Sequence, residues 1–217
     1  MDYFIWMARF RGFVIVPNQS RDVRFLLALC AMLAGTVFVP ASHAQESVVQ
    51  LDPAHTTVEF TLGDVLHTVH GTFTLKSSAI RFDPATGKAS GEIIVDAISG
   101  DSGNGSRDRK MHRDILESAK FAEIIFRPKQ IKGSLAPQGS SRIDVLGEFQ
   151  LHGEDHKFSL PVDIQISGQK LELTTHFLVP YVQWGLKNPS TFILRVSDKV
   201  TIDIHAAGTF VSEAARP

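Results

Sequence analysis

A chain of 217 residues with 22 basic and 23 acidic side chains, a formal net charge of −1 and a single cysteine has no basic surplus for a nucleic-acid partner and no disulfide framework. Cys30 falls in an N-terminal leader, so the mature protein has no thiol for catalysis or for a Cys-based metal site. The fold must stand on its core, and the ~170 residues after the leader fit one domain.

From the N-terminus, Arg21 and Arg24 precede an apolar run from Phe25 to Val39, and Ser42-His43-Ala44 follows. This order describes a secretory signal peptide over 1–44, cleaved after Ala44. The run is shorter than the roughly 20 apolar residues that cross a bilayer. Leu29 stands before Cys30 where a lipoprotein signal has a small residue. The stretch ahead of the run is long, and Met7 offers a second start. Loss of Arg9, Arg11, Arg21 and Arg24 with Asp2 and Asp22 moves the formal charge from −1 to −3. The expected address is the periplasm, with residues 45–217 as the working domain.

Beyond residue 47 the dominant signal is alternation with a period of two. Val58, Phe60 and Leu62 share one face, and Val69, Gly71, Phe73 and Leu75 alternate with His70, Thr72 and Thr74. Asp83-Pro84-Ala85-Thr86-Gly87 reads as a turn. From Asp101 to Glu117 the pattern changes: a Gly-rich approach, Ser106 as a candidate cap, then charged residues with Met111, Ile115 and Leu116 predict a short amphipathic helix. In a closed sheet such a helix serves as a lid. Alternation resumes over 143–151, 158–166, 171–179 and 200–204, with turns expected at Pro137-Gln138-Gly139, His152-Gly153-Glu154-Asp155 and Ser167-Gly168. Eight or nine strands with short connections are antiparallel neighbours. They close into a barrel or stack as a sandwich, and the lack of a second polar surface favours an all-β, eight-stranded antiparallel barrel with one inserted helix.

The inward set of such a barrel is rich in phenylalanine (Phe60, Phe73, Phe82, Phe126, Phe149, Phe158, Phe177) and almost free of charge. A barrel of this size is either filled by side chains or holds one small ligand, and that ligand must be apolar. At ~0.8 kcal/mol per buried methylene, about twenty carbons yield roughly 16 kcal/mol gross, enough to survive the costs of association without an ion pair. A solid, ligand-free core fits the same pattern.

Several motifs admit a chemical and a plain reading. Gly100-Asp101-Ser102-Gly103 resembles the surroundings of a serine nucleophile, yet His55 lies only 47 residues upstream and Gly, Ser and Asp are ordinary loop residues. His67 and His70 are three apart and point to opposite faces of a strand. His152 and His156 flank a turn and could approach each other, but metal binding needs convergent ligands. Arg107 to Asp114 mixes signs as a solvated helix face does. If the helix gates a barrel mouth, Arg107 or His112 would meet a polar ligand head group. Trp184 beside Gly185 is a plug packed on the barrel end or a ligand contact, with packing favoured.

Leu51-Asp52-Pro53-Ala54-His55-Thr56 ahead of the first strand, Val69-His70-Gly71-Thr72-Phe73, the Ser102-Gly103-Asn104 to Arg107-Asp108 and Met111-His112 run, Phe121 to Phe126, and Gly147 through Gly153 together resemble the YceI-like, polyisoprenoid-binding, lipocalin-like family over about residues 47–210. The resemblance implies an exported, extended eight-stranded barrel around an apolar tunnel for an isoprenoid quinone or polyprenyl chain. No catalytic residues carry over. Thr56 stands where the family often has Ser, and Ala122-Glu123 where a Tyr-Pro pair is frequent.

The expected function is therefore that of a non-enzymatic carrier or reservoir for an amphiphilic isoprenoid, without cofactor or metal. The expected ligand-binding residues are Phe60, Phe73, Val95, Phe126, Phe149, Phe177, Trp184, Arg107 and His112. No nucleic-acid partner is expected, while a transient membrane contact and a homodimer are left open. The alternative is a non-catalytic envelope stress or interaction module with a filled core. An enzymatic reading would rest on Ser102.

Overall fold

The computed structural model describes residues 46–63, 68–192 and 195–212; the expected leader, its expected cleavage site and His67 lie outside them. Eight strands form one closed barrel in chain order: β1 (Ser47–Gly63), β2 (Thr68–Phe82), β3 (Ala89–Asp101), β4 (Glu123–Lys132), β5 (Gly139–Leu151), β6 (Glu154–Ser167), β7 (Lys170–Val179) and β8 (Val200–Ser212). Each strand pairs antiparallel with the next, and β8 closes on β1 from Ser47↔Ser212 to Thr61↔Thr201. The barrel alternative is thus the observed one. Closure gives every strand two neighbours, although β6 and β7 pair only over Asp163–Ser167 and Lys170–Thr174.

Several register irregularities were hidden in the alternation, two of them in β1 and β2. Leu51-Asp52-Pro53-Ala54-His55-Thr56 does not precede the first strand but interrupts it, with the register of β1 shifting between Leu51 and Thr56. Asp52 organises this bulge. Its carboxylate accepts from the Ala54 N–H at 2.9 Å and from His55 Nδ1 at 2.6 Å, and its carbonyl accepts from the Thr56 hydroxyl at 2.7 Å. These local bonds hold a Pro-containing stretch that cannot complete a ladder. His55 is mostly exposed and its Nδ1 is engaged by Asp52. In β2 the register shifts between Leu75 and Ser77, and the buried positions pass from Leu75 to Ser78, Ile80 and Phe82.

Turns set the strand ends. Leu151 pairs with Glu154 across only His152 and Gly153, whose φ values of 55° and 82° are those of a type I′ hairpin. The connection is shorter than the four residues expected, because Glu154 and Asp155 already belong to β6.

One short helix, α1 (Gly105–Lys110), follows β3 and runs into a π turn over Met111–Ile115. Its cap is Asn104 rather than Ser106. The Asn104 side chain accepts from the N–H groups of Ser106 and Arg107, both at 3.1 Å, placing Ser106 in the first turn.

The interior is packed differently at its two ends. Near the hairpin joining β2 and β3, Ile166 and Leu171 are 1 % exposed and Phe82 lies 6.3 Å from Phe210. Toward the α1 end, Phe rings lean across glycines. A Cβ at Gly71 would fall 2.4 Å from the Phe60 ring, and one at Gly147 would fall 2.8 Å from the Phe126 ring and 2.3 Å from the Arg127 carbonyl oxygen. Because the backbone oxygen cannot yield, Gly147→Ala is expected to lower stability by about 1–3 kcal/mol. In urea unfolding this appears as a lower midpoint with an unchanged slope. A midpoint equal to wild type would contradict the close approach.

Candidate functional site

The α1 half of the barrel encloses a cavity of about 560 Å³, within the range of small-molecule sites. Its wall comes from the inward faces of the strands. Phe60 and Phe73, 5.3 Å apart, stand on β1 and β2. Val95 and Phe126 stand on β3 and β4, and Phe149 and Phe177, 6.3 Å apart, on β5 and β7. Val200, Ile202 and Ile204 close the circle from β8. The filled reading therefore describes only the far half, where Ile143, Ile166, Leu171 and Phe210 pack together.

The mouth is built by α1 and by the connection from β7 to β8. Met111, Ile115 and Leu116 all face the cavity. In a regular helix residues 111 and 116 would diverge; the π turn, closed by the Leu116 N–H on the Met111 carbonyl at 2.9 Å, inserts the extra residue that brings them together. A Cβ on Gly100 would lie 2.6 Å from Phe73 and 2.9 Å from Met111, so this glycine lets the lid seat against the wall. On the other side Tyr181 and Leu186 are 5 % and 4 % exposed and also face the cavity. Burial pushes the Tyr181 phenol up to about 12, and its O–H donates to the Ser197 carbonyl at 2.7 Å.

Of the nine residues expected to meet a ligand, the structure puts Phe60, Phe73, Val95, Phe126, Phe149, Phe177 and Arg107 on the cavity wall. Trp184 and His112 are not on it. Trp184 stacks flat on His156 at 4.2 Å and packs against Phe149 and Phe158 at 5.5 and 5.6 Å, so it backs the wall through Phe149. His112 is a strut. Its Nε2–H donates to the Gly100 carbonyl at 2.8 Å, and Nδ1 accepts from the Ser118 hydroxyl at 3.0 Å, leaving no ring nitrogen for a ligand. The mouth residues Tyr181, Leu186 and Lys110 were missed, because nothing in the local pattern of either connection says which side chains turn inward.

Ser102 joins the end of β3 to α1. Its hydroxyl donates to Asp108 and accepts from Arg107 Nε at 2.7 Å, while its carbonyl accepts from Arg107 Nη2 at 2.7 Å. A carboxylate and a guanidinium therefore occupy the hydroxyl, where a histidine-based triad would have its base. Among the described residues no group of three His, Cys, Asp or Glu side chains could hold a metal.

Burial alone would raise the Asp108 carboxyl, but the Ser102 hydroxyl and N–H and the nearby Arg107 charge outweigh it and hold the group below the ordinary carboxylate range. A depressed folded value contributes stability above the unfolded pKa of about 3.9, and this is lost as pH falls through the folded value. Asp108→Asn is expected to lower stability by about 1 kcal/mol at pH 7 and by less at pH 3, where the carboxylate of the unfolded chain already takes up a proton and the contribution is being lost. Urea midpoints of both proteins at the two pH values check this; an undiminished gap at pH 3 would contradict the charged network.

Known proteins share this architecture. A family model described as YceI-like domain matches residues 49–207. A UPF0312 protein of Vibrio vulnificus (strain YJ016) is 26 % identical over 141 residues, covering 63 % of this chain and 72 % of the relative. The structure of Burkholderia cenocepacia BcnA superposes with a TM-score of 0.60 at 18 % identity, over 72 % of this chain and 98 % of that one. A polyisoprenoid binding domain from Saccharophagus degradans implicated in plant cell wall breakdown gives 0.55 at 16 % identity, over 74 % and 97 %. At such identity the superpositions speak for the fold alone, and the family match agrees with the resemblance seen in the motifs. The chain belongs to the YceI-like domain family.

Proposed function

We propose that the protein is an exported, non-catalytic lipid-binding protein of the periplasm. It sequesters or carries an amphiphilic isoprenoid, a quinone or a polyprenyl chain, with the tail in the barrel cavity. The observation that carries this reading is the cavity itself: about 560 Å³ walled by aliphatic and aromatic side chains, with polar groups gathered at one rim. A methylene group is about the size of a water molecule, whose share of liquid volume is about 30 Å³, so the space takes on the order of twenty carbons. Burying them supplies roughly 16 kcal/mol gross at ~0.8 kcal/mol each, so no ion pair is required to hold the tail. The fold shared with a polyisoprenoid binding domain supports an isoprenoid as the occupant. The signal-like leader Arg21–Ala44 supports export.

Protein purified from its own host should release a long-chain lipid on organic extraction and show the matching mass adduct by native mass spectrometry. Recovery of empty protein from lipid-replete cells would oppose the reading. Phe73→Trp, on the cavity wall, should reduce the recovered lipid at a stability cost below about 1 kcal/mol, whereas Phe210→Trp in the filled half should cost about 1–3 kcal/mol by overpacking. Equal costs at the two positions would mean that the α1 half is as tightly packed as the other.

A further inference from the structure

The polar groups on the cavity wall have a sign and a common origin. Ser102, Ser106, Arg107 and Lys110 come from one nine-residue stretch at the lid, and two of the four are cations. No aspartate or glutamate among the described residues lines the cavity. The nearest acid in the stretch, Asp108, is turned to the Ser102 hydroxyl and N–H. Glu59 and Asp101 border a separate recess on the other side of Ser102. Arg107 is held in place by two bonds to Ser102 through Nε and Nη2, so part of its ordering cost is met before a ligand arrives. Lys110 lies one helical turn further on, so the two side chains neighbour each other on one face.

An alcohol head group brings a hydrogen that neither cation can accept, and a quinone carbonyl accepts but leaves both charges unneutralised. Guanidinium and ammonium groups only donate, and they pair best with carboxylate or phosphate oxygens. We propose that the cavity selects amphiphiles with an anionic head group, a carboxylate or phosphate monoester, held between Arg107 and Lys110 at the lid while the tail fills the barrel. This rests on the lipid-binding reading and narrows its ligand class to acids and phosphates, setting the quinone aside. Because both cations are solvent-exposed, the preference depends on salt, as contacts between accessible charges do.

The test is a titration of the delipidated mature protein, read from Trp184, the sole tryptophan once Trp6 leaves with the leader. The probes are geranylgeranyl phosphate, geranylgeraniol, stearate and stearyl alcohol. Each anion should bind about tenfold or more tightly than its alcohol, as charge-assisted hydrogen bonds require. Lys110→Gln should shrink the anion-to-alcohol ratio several-fold, as should 0.5 M salt on the wild type. Whichever anion is preferred then tells an isoprenoid phosphate from a fatty acid. Equal affinity for anion and alcohol would overturn the head-group proposal and leave the lipid reading standing. Binding of none of the four probes would overturn both.

Discussion

The constraint on which this molecule rests is the closure of eight antiparallel strands around an interior that their own side chains do not fill evenly. Once β8 pairs with β1, the inward residues share one space bounded by all eight strands. At one end Phe82, Ile143, Ile166, Leu171 and Phe210 fill that space. At the other, the inward rings of Phe60 and Phe126 lie across Gly71 and Gly147 instead of reaching the axis. The glycines are therefore part of what keeps that half hollow, since a methyl there would collide with the ring or with the neighbouring backbone.

The lid follows from the same closure. A barrel open at one end would leave its apolar lining in contact with water, so the connection from β3 to β4 must both cross the mouth and present an apolar face inward. The helix achieves this with few residues. Asn104 starts it, Ser102, Arg107 and Asp108 lock its first turn to the end of β3, and the π turn aligns Met111, Ile115 and Leu116 over the opening. His112 ties the far side to Gly100 and Ser118. What is left on the rim is cationic, because the one acid of the first turn is used internally.

Much of this was readable from residues alone, for a reason specific to barrels: a period of two along long strands reports directly which side chains point inward. Phe60, Phe73, Phe126, Phe149 and Phe177 were identified that way and stand on the cavity wall. The bulges at Asp52–His55 and after Leu75 were not legible, since a bulge is defined by a partner strand that the local pattern does not contain. Asn104 and Ser106 are both good caps, and only the geometry of the Gly103 approach decides between them. Trp184 and His112 drew attention by chemistry, yet each is satisfied by a structural neighbour: His156 for the indole, Gly100 and Ser118 for the imidazole. Tyr181 and Leu186 escaped notice because an irregular connection has no periodicity to betray its inner face.

The central claim is that the α1 half of the barrel is a chamber for a hydrocarbon tail, and a crystal structure of protein purified without delipidation tests it most directly. The account predicts continuous elongated density running from the Arg107–Lys110 rim past Phe73, Phe177 and Ile202, ending above the packed Phe82–Phe210 layer. Side chains of those residues collapsed onto one another, with no space between them, would contradict it.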